Sequence, residues 1–223
     1  MMPTAKEKAW SISRLGVFEN CKRKYHHIHV LKDVTEDFSN EHAKYGKEAH
    51  KALERRVGDS IPLSNRFKHL EPVAAKIAAA KGKAFVEMQL CVNEKLQPTG
   101  WLDADAYCRA ILDIMKVNGH IAWIGDYKTG KMKDDTDQLM LKALVTFAHF
   151  PDVDTVTSSF IWLTDDVVTK DVFHRKDEAD LWSEILPRAQ RIAASFDSGD
   201  WNPRPNGLCG YCPVKAQGKC DLK

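Results

Sequence analysis

The sequence predicts an α/β protein in which helices flank a central mixed sheet and an irregular, cysteine-rich tail follows. Three observations carry that prediction. Hydrophobic residues make up 43% and charged residues 29% of 223 positions, with 12 Gly and 9 Pro, which is ordinary for one sizeable globular domain and excludes collagen-like or disordered chains. Helix-period segments stand at both ends, whereas the middle carries two-residue alternation. An Asn118-Gly119 pair separates two strand-like runs as a hairpin turn would.

Taken in order, Ser11 and Ser13 are N-caps for a short helix running towards Tyr25, with Leu15, Val17 and Phe18 as its apolar positions. Residues 41–57 place Tyr45, Ala49 and Leu53 on one helical face, and an Ala-rich helix over about 65–81 is ended by Gly82. In AFVEMQLCV, Ala84, Val86, Met88 and Leu90 alternate with Phe85, Glu87, Gln89 and Cys91, the period of a strand. Strand-like runs over 101–108 (WLDADAYC), 110–117 (AILDIMKV) and 121–128 (IAWIGDYK) complete an antiparallel meander. A helix over 138–149 buries Leu141, Leu144, Val145 and Ala148; strands over 156–163 and 167–173 and a helix over 178–196 follow. From Trp201 onward Pro and Gly are too frequent for a regular element, so something other than local structure must hold that segment.

Charge excludes little: 33 Lys+Arg against 31 Asp+Glu leaves +2. Locally, Lys22, Arg23, Lys24, Lys44, Lys47, Lys51, Arg55 and Arg56 make the first third basic, while Asp134, Asp135 and Asp137 cluster later; the basic stretch faces a polyanion or is a solvated helix face. The first residues have no apolar leader and no apolar run is long enough to span a bilayer, the pattern of a cytoplasmic chain without membrane association. In that compartment the six cysteines are not expected to pair as disulfides, and Cys91 and Cys108 read as small buried hydrophobes. Nothing matches a P-loop ending in Gly-Lys-Ser/Thr, so the chain carries no helicase motor of that kind.

The densest chemistry is Asp126 with Lys128. Two residues apart in a strand, they project together, with Tyr127 facing the other way. If a neighbouring strand brings Asp103 alongside, the two carboxylates favour a divalent cation, and hard oxygen donors suit Mg or Mn. A surface ion pair is the alternative for Asp126 and Lys128. Asp105 shares a face with Asp103, where it supports the site or is solvated; Glu87 lies on the polar face of the preceding strand, as a direct metal ligand, a support to one, or a structural ion pair. Cys209, Cys212 and Cys220 form C-x2-C-x7-C, a chelating spacing that needs a fourth ligand.

In order, Gly46-x-x-x-His50, Gly100-x-x-Asp103, Asp126-x-Lys128 and Gln138-Leu139 resemble the motifs of the PD-(D/E)XK nucleases, in the RecB/AddB-like branch that includes the CRISPR-associated adaptation nucleases. Lys142 stands where that branch has a tyrosine. The resemblance covers nearly the whole chain and implies a restriction-endonuclease-like core. It implies that His50, Asp103, Asp126 and the Tyr127 carbonyl hold Mg or Mn, tilted towards Mn by the imidazole, and that the ion activates a water against a phosphodiester. Lys128 then orients or deprotonates that water or stabilises the transition state, and Gln138 positions Lys128 or a phosphate. Some members hold a 4Fe-4S cluster with one early and three late cysteines, which here implies Cys21 with Cys209, Cys212 and Cys220, joining the 201–223 tail to the 1–200 core; a tetrathiolate zinc site is the alternative. The implied substrate is DNA with a free end, single-stranded or resected, degraded exonucleolytically in recombination, repair, adaptation or phage DNA processing. Lys22, Arg23, Lys24, Lys47 and Lys51 then meet phosphates, with Trp10, Tyr25 and Tyr45 available for stacking. A helicase, annealing or recombination protein as partner, a homo-oligomer, and an inactive DNA-binding or docking subunit of the same fold are compatible with the same residues.

Overall fold

The alternating apolar runs form one five-stranded sheet in a computed structural model that describes residues 9–36, 40–132 and 135–222. Asp134 of the acidic run and residues 1–8 of the expected core lie outside the described residues. The strands are β1 (Lys83–Val92), β2 (Cys108–Asn118), β3 (Ile121–Lys128), β4 (Thr155–Trp162) and β5 (Val167–His174), in spatial order 1-2-3-4-5. The β1/β2, β2/β3 and β4/β5 pairs are antiparallel, and β3/β4 is parallel. That parallel step requires a crossover, which α5 (Thr136–His149) supplies.

Before the sheet come α1 (Ile12–Asn20), α2 (Lys22–Tyr25), a π-helical turn over His26–Leu31, α3 (Glu41–Gly58), a 3-10 turn over Asn65–Leu70 and α4 (Glu71–Ala79). After it come α6 (Glu178–Ser198) and, in the tail, α7 (Pro213–Ala216). Ser11 caps α1 by accepting from the Arg14 amide, and Asn40 caps α3 by accepting from that of Ala43. One core joins the sheet to α1, α5 and α6 through Leu15, Phe18, Leu112, Leu144 and Ile185; a second joins it to α3 and α4 through Ala49, Leu53, Ala74 and Ile114. No helix among the described residues is long and apolar enough to cross a membrane.

The meander is corrected at its start. Residues 101–107 form turns instead of a strand, because their short polar side chains satisfy the backbone locally. Asp103 accepts from the Gly100 amide at 2.8 Å and from Thr99 Oγ1 at 3.2 Å; Asp105 accepts from Thr99 Oγ1 at 2.6 Å.

Gly125 is demanded by packing. A Cβ there would lie 2.7 Å from the Trp123 ring and 2.9 Å from the side chains of Ile114 and Ile161. Gly125→Val is therefore expected to cost about 2–3 kcal/mol by overpacking. An unchanged denaturant midpoint would show that the sheet has room there.

The tail is fastened by side chains. Trp201 stacks on His26 with ring centroids 4.6 Å apart, Lys22 pairs with Asp200 at 2.6 Å, Asn206 bonds Asn20, and Val214 is buried. In the π-helical turn, burial first and the nearby charges of Arg14 and Lys24 push His29 down to about 4, against the opposing charge of Glu36. Its folded-state pKa lies below its unfolded value, so its stabilising contribution is complete above about pH 6.5 and is lost as pH falls towards 4. Because the ring is only half-buried, screening limits the loss to roughly 1–2 kcal/mol. A denaturation series from pH 7 to 4.5 should show this slope reduced in His29→Gln; equal slopes would assign the acid sensitivity elsewhere.

Candidate active site

The β2/β3 ladder ends with Ile114 opposite Gly125, and one step further Asp113 and Asp126 follow on the two strands. Asp113 Oδ2 accepts from the Tyr127 amide at 2.8 Å, which ties the first carboxylate to the strand bearing the second. Apolar side chains change faces at this level. Phe85 and Met115 share a core with Met88, Leu90, Ala110 and Leu112, although strict alternation would separate them, while Val86 and Ile114 join the other core. At the break in β1, Glu87 takes φ +49, a left-handed conformation that costs a non-glycine residue about 1–2 kcal/mol and commonly marks a functional constraint.

Helix α3 brings His50 to the same place. Ala49 and Leu53 anchor it, and Gly46, one turn before His50, lets it close on the end of β3: a Cβ there would meet Thr129 Oγ1 at 2.8 Å. His50 Nδ1 lies 3.4 Å from Asp113 Oδ2, and its ring meets Tyr127 edge-on at 5.7 Å. His50, Glu87 and Asp113 each offer a donor atom within 4.8 Å of the others, a set able to hold a divalent ion.

Asp126 is 3% exposed. Its Oδ1 accepts from Gln138 Nε2 at 3.3 Å and is paired with the buried Lys142 of α5. Its Oδ2 is buried and ion-paired with Lys128 Nζ at 2.6 Å. The His50, Glu87 and Asp113 donors, with Asp126 lining the cleft that also holds His50 and Asp113, fit a divalent cation. Lys128 also donates to Gln138 Oε1 at 2.9 Å, and the Phe160 ring supports its ammonium at 4.8 Å.

The electrostatics divide the carboxylates. Burial raises Asp113, and the Asp126 charge adds to this, against partial offset by Lys142 and His50. For Asp126, burial acts upward but Lys142 and Lys128 together outweigh it and hold the group below its ordinary value. Burial, Asp113 and Glu54 raise Glu87. Carboxylates that resist ionisation in each other's presence create the demand for a cation.

The structure thus brings together His50, Glu87, Asp126, Lys128, Gln138 and the backbone of Tyr127. It does not bring Asp103 or Asp105, which belong to the turn described above and line no part of the pocket containing Asp126. The expected convergence of Asp103 with Asp126 is corrected: Asp113 occupies that place. Asp113 and the ion-pairing Lys142 were missed, although a lone carboxylate within the otherwise apolar stretch 110–115 (AILDIM) was a readable signal. Of the basic candidates, Lys22 pairs with Asp200 and Arg23 donates to the Trp201 carbonyl, so these two hold the start of the tail; Lys24 pairs with Glu36 and Lys51 with Glu54. Lys47 is exposed one turn before His50. Trp10 and Tyr25 are core residues.

Cys21, Cys209, Cys212 and Cys220 line one cavity of about 430 Å³ between α1, α2 and the tail. The Arg204 amide points to Cys21 Sγ at 3.4 Å and the Asn206 amide to Cys209 Sγ at 3.3 Å.

A mixed sheet with two acidic side chains on adjacent central strands, a lysine two residues after the second, and a histidine from a covering helix defines a hydrolytic metal-site architecture. The model of the PD-(D/E)XK nuclease superfamily matches residues 9–217, and the chain belongs to that superfamily. Nucleases of this superfamily use divalent metals such as Mg or Mn. Among solved structures, an Eubacterium rectale protein named "Putative exonuclease" shares the fold at TM-score 0.55 and 14% identity, over 98% of this chain and 91% of that one. The protein SSO0001 aligns at TM-score 0.47 and 14% identity, over 97% and 88%. No curated protein matches.

Proposed function

We propose that the protein is a metal-dependent deoxyribonuclease that hydrolyses phosphodiester bonds of linear DNA from an end. The observation that carries this reading is the convergence of His50, Glu87 and Asp113 at the cleft that Asp126 and Lys128 also line. His50, Asp113, Asp126 and the Tyr127 carbonyl would hold Mg or Mn, with Glu87 facing the same ion. A divalent ion supplies charge neutralisation at the phosphoryl oxygens and activation of water. Lys128 presents a cation to the attacking water or the reacting phosphate, Gln138 fixes its direction, and Lys142 keeps Asp126 ionised. The exonuclease direction is in keeping with the name of the E. rectale fold relative. End-labelled single- and double-stranded linear DNA is expected to be degraded with Mg or Mn by the natural protein and not by Asp126→Asn, although the variant still binds. Binding without cutting by both proteins, under either metal, would make the chain a DNA-binding subunit.

The four-cysteine cavity supports a 4Fe-4S cluster that fastens the tail to α1 and α2. The four cysteines line one cavity, and backbone amides point at two of the sulfurs. Anaerobically prepared protein should absorb broadly in the visible and contain about four irons per chain, with Cys212→Ser losing both. Colourless protein carrying one zinc would replace this assignment.

A further inference from the structure

The active-site cleft has a second arm that the metal chemistry leaves without a role. Arg109 lies on β2 four residues before Asp113, about 13 Å along the strand. Arg109, Trp101, Ser11, Ser13, Asp113 and Asp126 line one cleft of about 510 Å³. Arg109 is 9% exposed, and its Nε and Nη2 are buried with no hydrogen-bond partner. Its guanidinium lies 5.3 Å from the Trp101 ring, and among the described residues no carboxylate forms an ion pair with it. Cys91 opposes it in the β1/β2 ladder and its thiol lies against the guanidinium; burial pushes that thiol's pKa up, and Arg109 offsets this only in part. An arginine cannot shed its proton, and a buried charge without a partner is costly. The arrangement lacks an anion.

A second, independent feature faces the same arm. Residues 9–10 run beside β2, with the Trp10 amide donating to the Tyr107 carbonyl and the Arg109 amide to the Trp10 carbonyl, each at 2.9 Å. This backbone pairing delivers Ser11 and the amino end of the nine-residue α1 into the cleft, with the Ser11 and Ser13 hydroxyls 3.1 Å apart. A helix amino end carries partial positive charge and favours phosphate.

We propose that this arm is a phosphate subsite for the DNA strand. A phosphate sits between the Arg109 guanidinium and the amino end of α1, and the adjoining base stacks on Trp101. At 3.4 Å of rise per stacked nucleotide, 13 Å sets this phosphate on the order of two to four nucleotides from the bond at Asp113 and Asp126. Arginine suits the position because its planar fork takes two phosphate oxygens at once. The proposal rests on the nuclease reading of the neighbouring site and adds the group that registers the strand.

The test is fluorescence anisotropy of labelled single-stranded oligonucleotides in EDTA over a range of salt, so that no cleavage is needed. Arg109→Gln is expected to weaken binding about tenfold and to lower the log–log salt slope by about 0.7, the signature of one lost phosphate contact. Arg109→Lys should recover part of both, and Trp101→Ala should weaken binding roughly 5- to 100-fold. Competitors with a 5′-phosphate, a 3′-phosphate, neither, or no end at all identify the source. Loss of end discrimination in Arg109→Gln assigns a terminal phosphomonoester, and equal loss for all, circles included, assigns an internal diester. Removing a charge with no partner should leave the unfolding midpoint unchanged or raised. Natural affinity and salt slope in Arg109→Gln, or weakened binding with an unchanged slope and a lowered midpoint, would overturn the subsite. Arg109-dependent binding by a protein that never cuts would sink the nuclease reading alone.

Discussion

Asp113→Asn is expected to reduce metal-dependent DNA cleavage by on the order of 10³-fold or more, while Asp103→Asn changes it by no more than a few fold. Groups that merely support metal ligands cost 10- to 100-fold when removed, so a direct ligand must cost more. The substitution keeps the shape of a side chain that accepts from the Tyr127 amide and removes only its charge. It also makes an expectation about stability. Burial raises the folded-state pKa of Asp113 above the unfolded one, so its favourable contribution is complete below about pH 4 and is lost as pH rises through the folded-state value. At neutral pH the metal-free protein bears that cost. Asp113→Asn should therefore melt higher than the natural protein in EDTA, and added Mn should narrow the gap by stabilising only the natural protein. An Asp113→Asn protein that cuts normally, or an inactive Asp103→Asn protein of native stability, would reverse the assignment of the second carboxylate.

Lys142→Met is the second large effect. Its ammonium and the Asp126 carboxylate are both about 5% exposed, and removing one member of such a pair leaves the other charge buried. Lys128 compensates only in part, so the loss is expected to be about 2–4 kcal/mol near neutral pH. The sign follows from Asp126: its folded-state pKa is lowered, so the stability it contributes is present above about pH 4 and is lost as pH falls through the folded-state value. The penalty in Lys142→Met should shrink in acid, and Asp126→Asn combined with Lys142→Met should cost less than the sum of the single changes. Denaturant unfolding of the four proteins at two pH values checks this. Additive costs at both would mean that the pair is not coupled.

These two residues mark where sequence reading ended. Helix periods, capping residues and two-residue alternation sufficed for the mixed sheet with flanking helices, and Asp126, Lys128 and Gln138 are neighbours in the fold. The 101–107 run alternates like a strand, but Asp103 and Asp105 bond to Thr99 and Gly100 within a few residues, a competition between side chain and backbone that alternation does not register. Asp113 was legible by alternation, on the side of β2 that carries Arg109 and Ile111 into the cleft; the parity changes only beyond it, at Ile114 and Met115, and the 101–107 run drew the assignment to Asp103. Lys142 was seen only as a departure from a motif, because helix period alone does not reveal that a buried position on α5 faces a carboxylate. The Lys22–Lys24 cluster read as a surface for a polyanion or a solvated face, and the partners of Lys22 and Arg23 at the start of the tail, 178 residues away, became visible only in three dimensions.

The most direct test is the anomalous scattering map of a crystal of the natural protein grown with Mn. The expected result is a peak in coordination contact with Asp113, Asp126 and His50, weakened or lost in Asp113→Asn crystals. A natural-protein map with no peak between those residues, or with the ion at Asp103, would contradict the account.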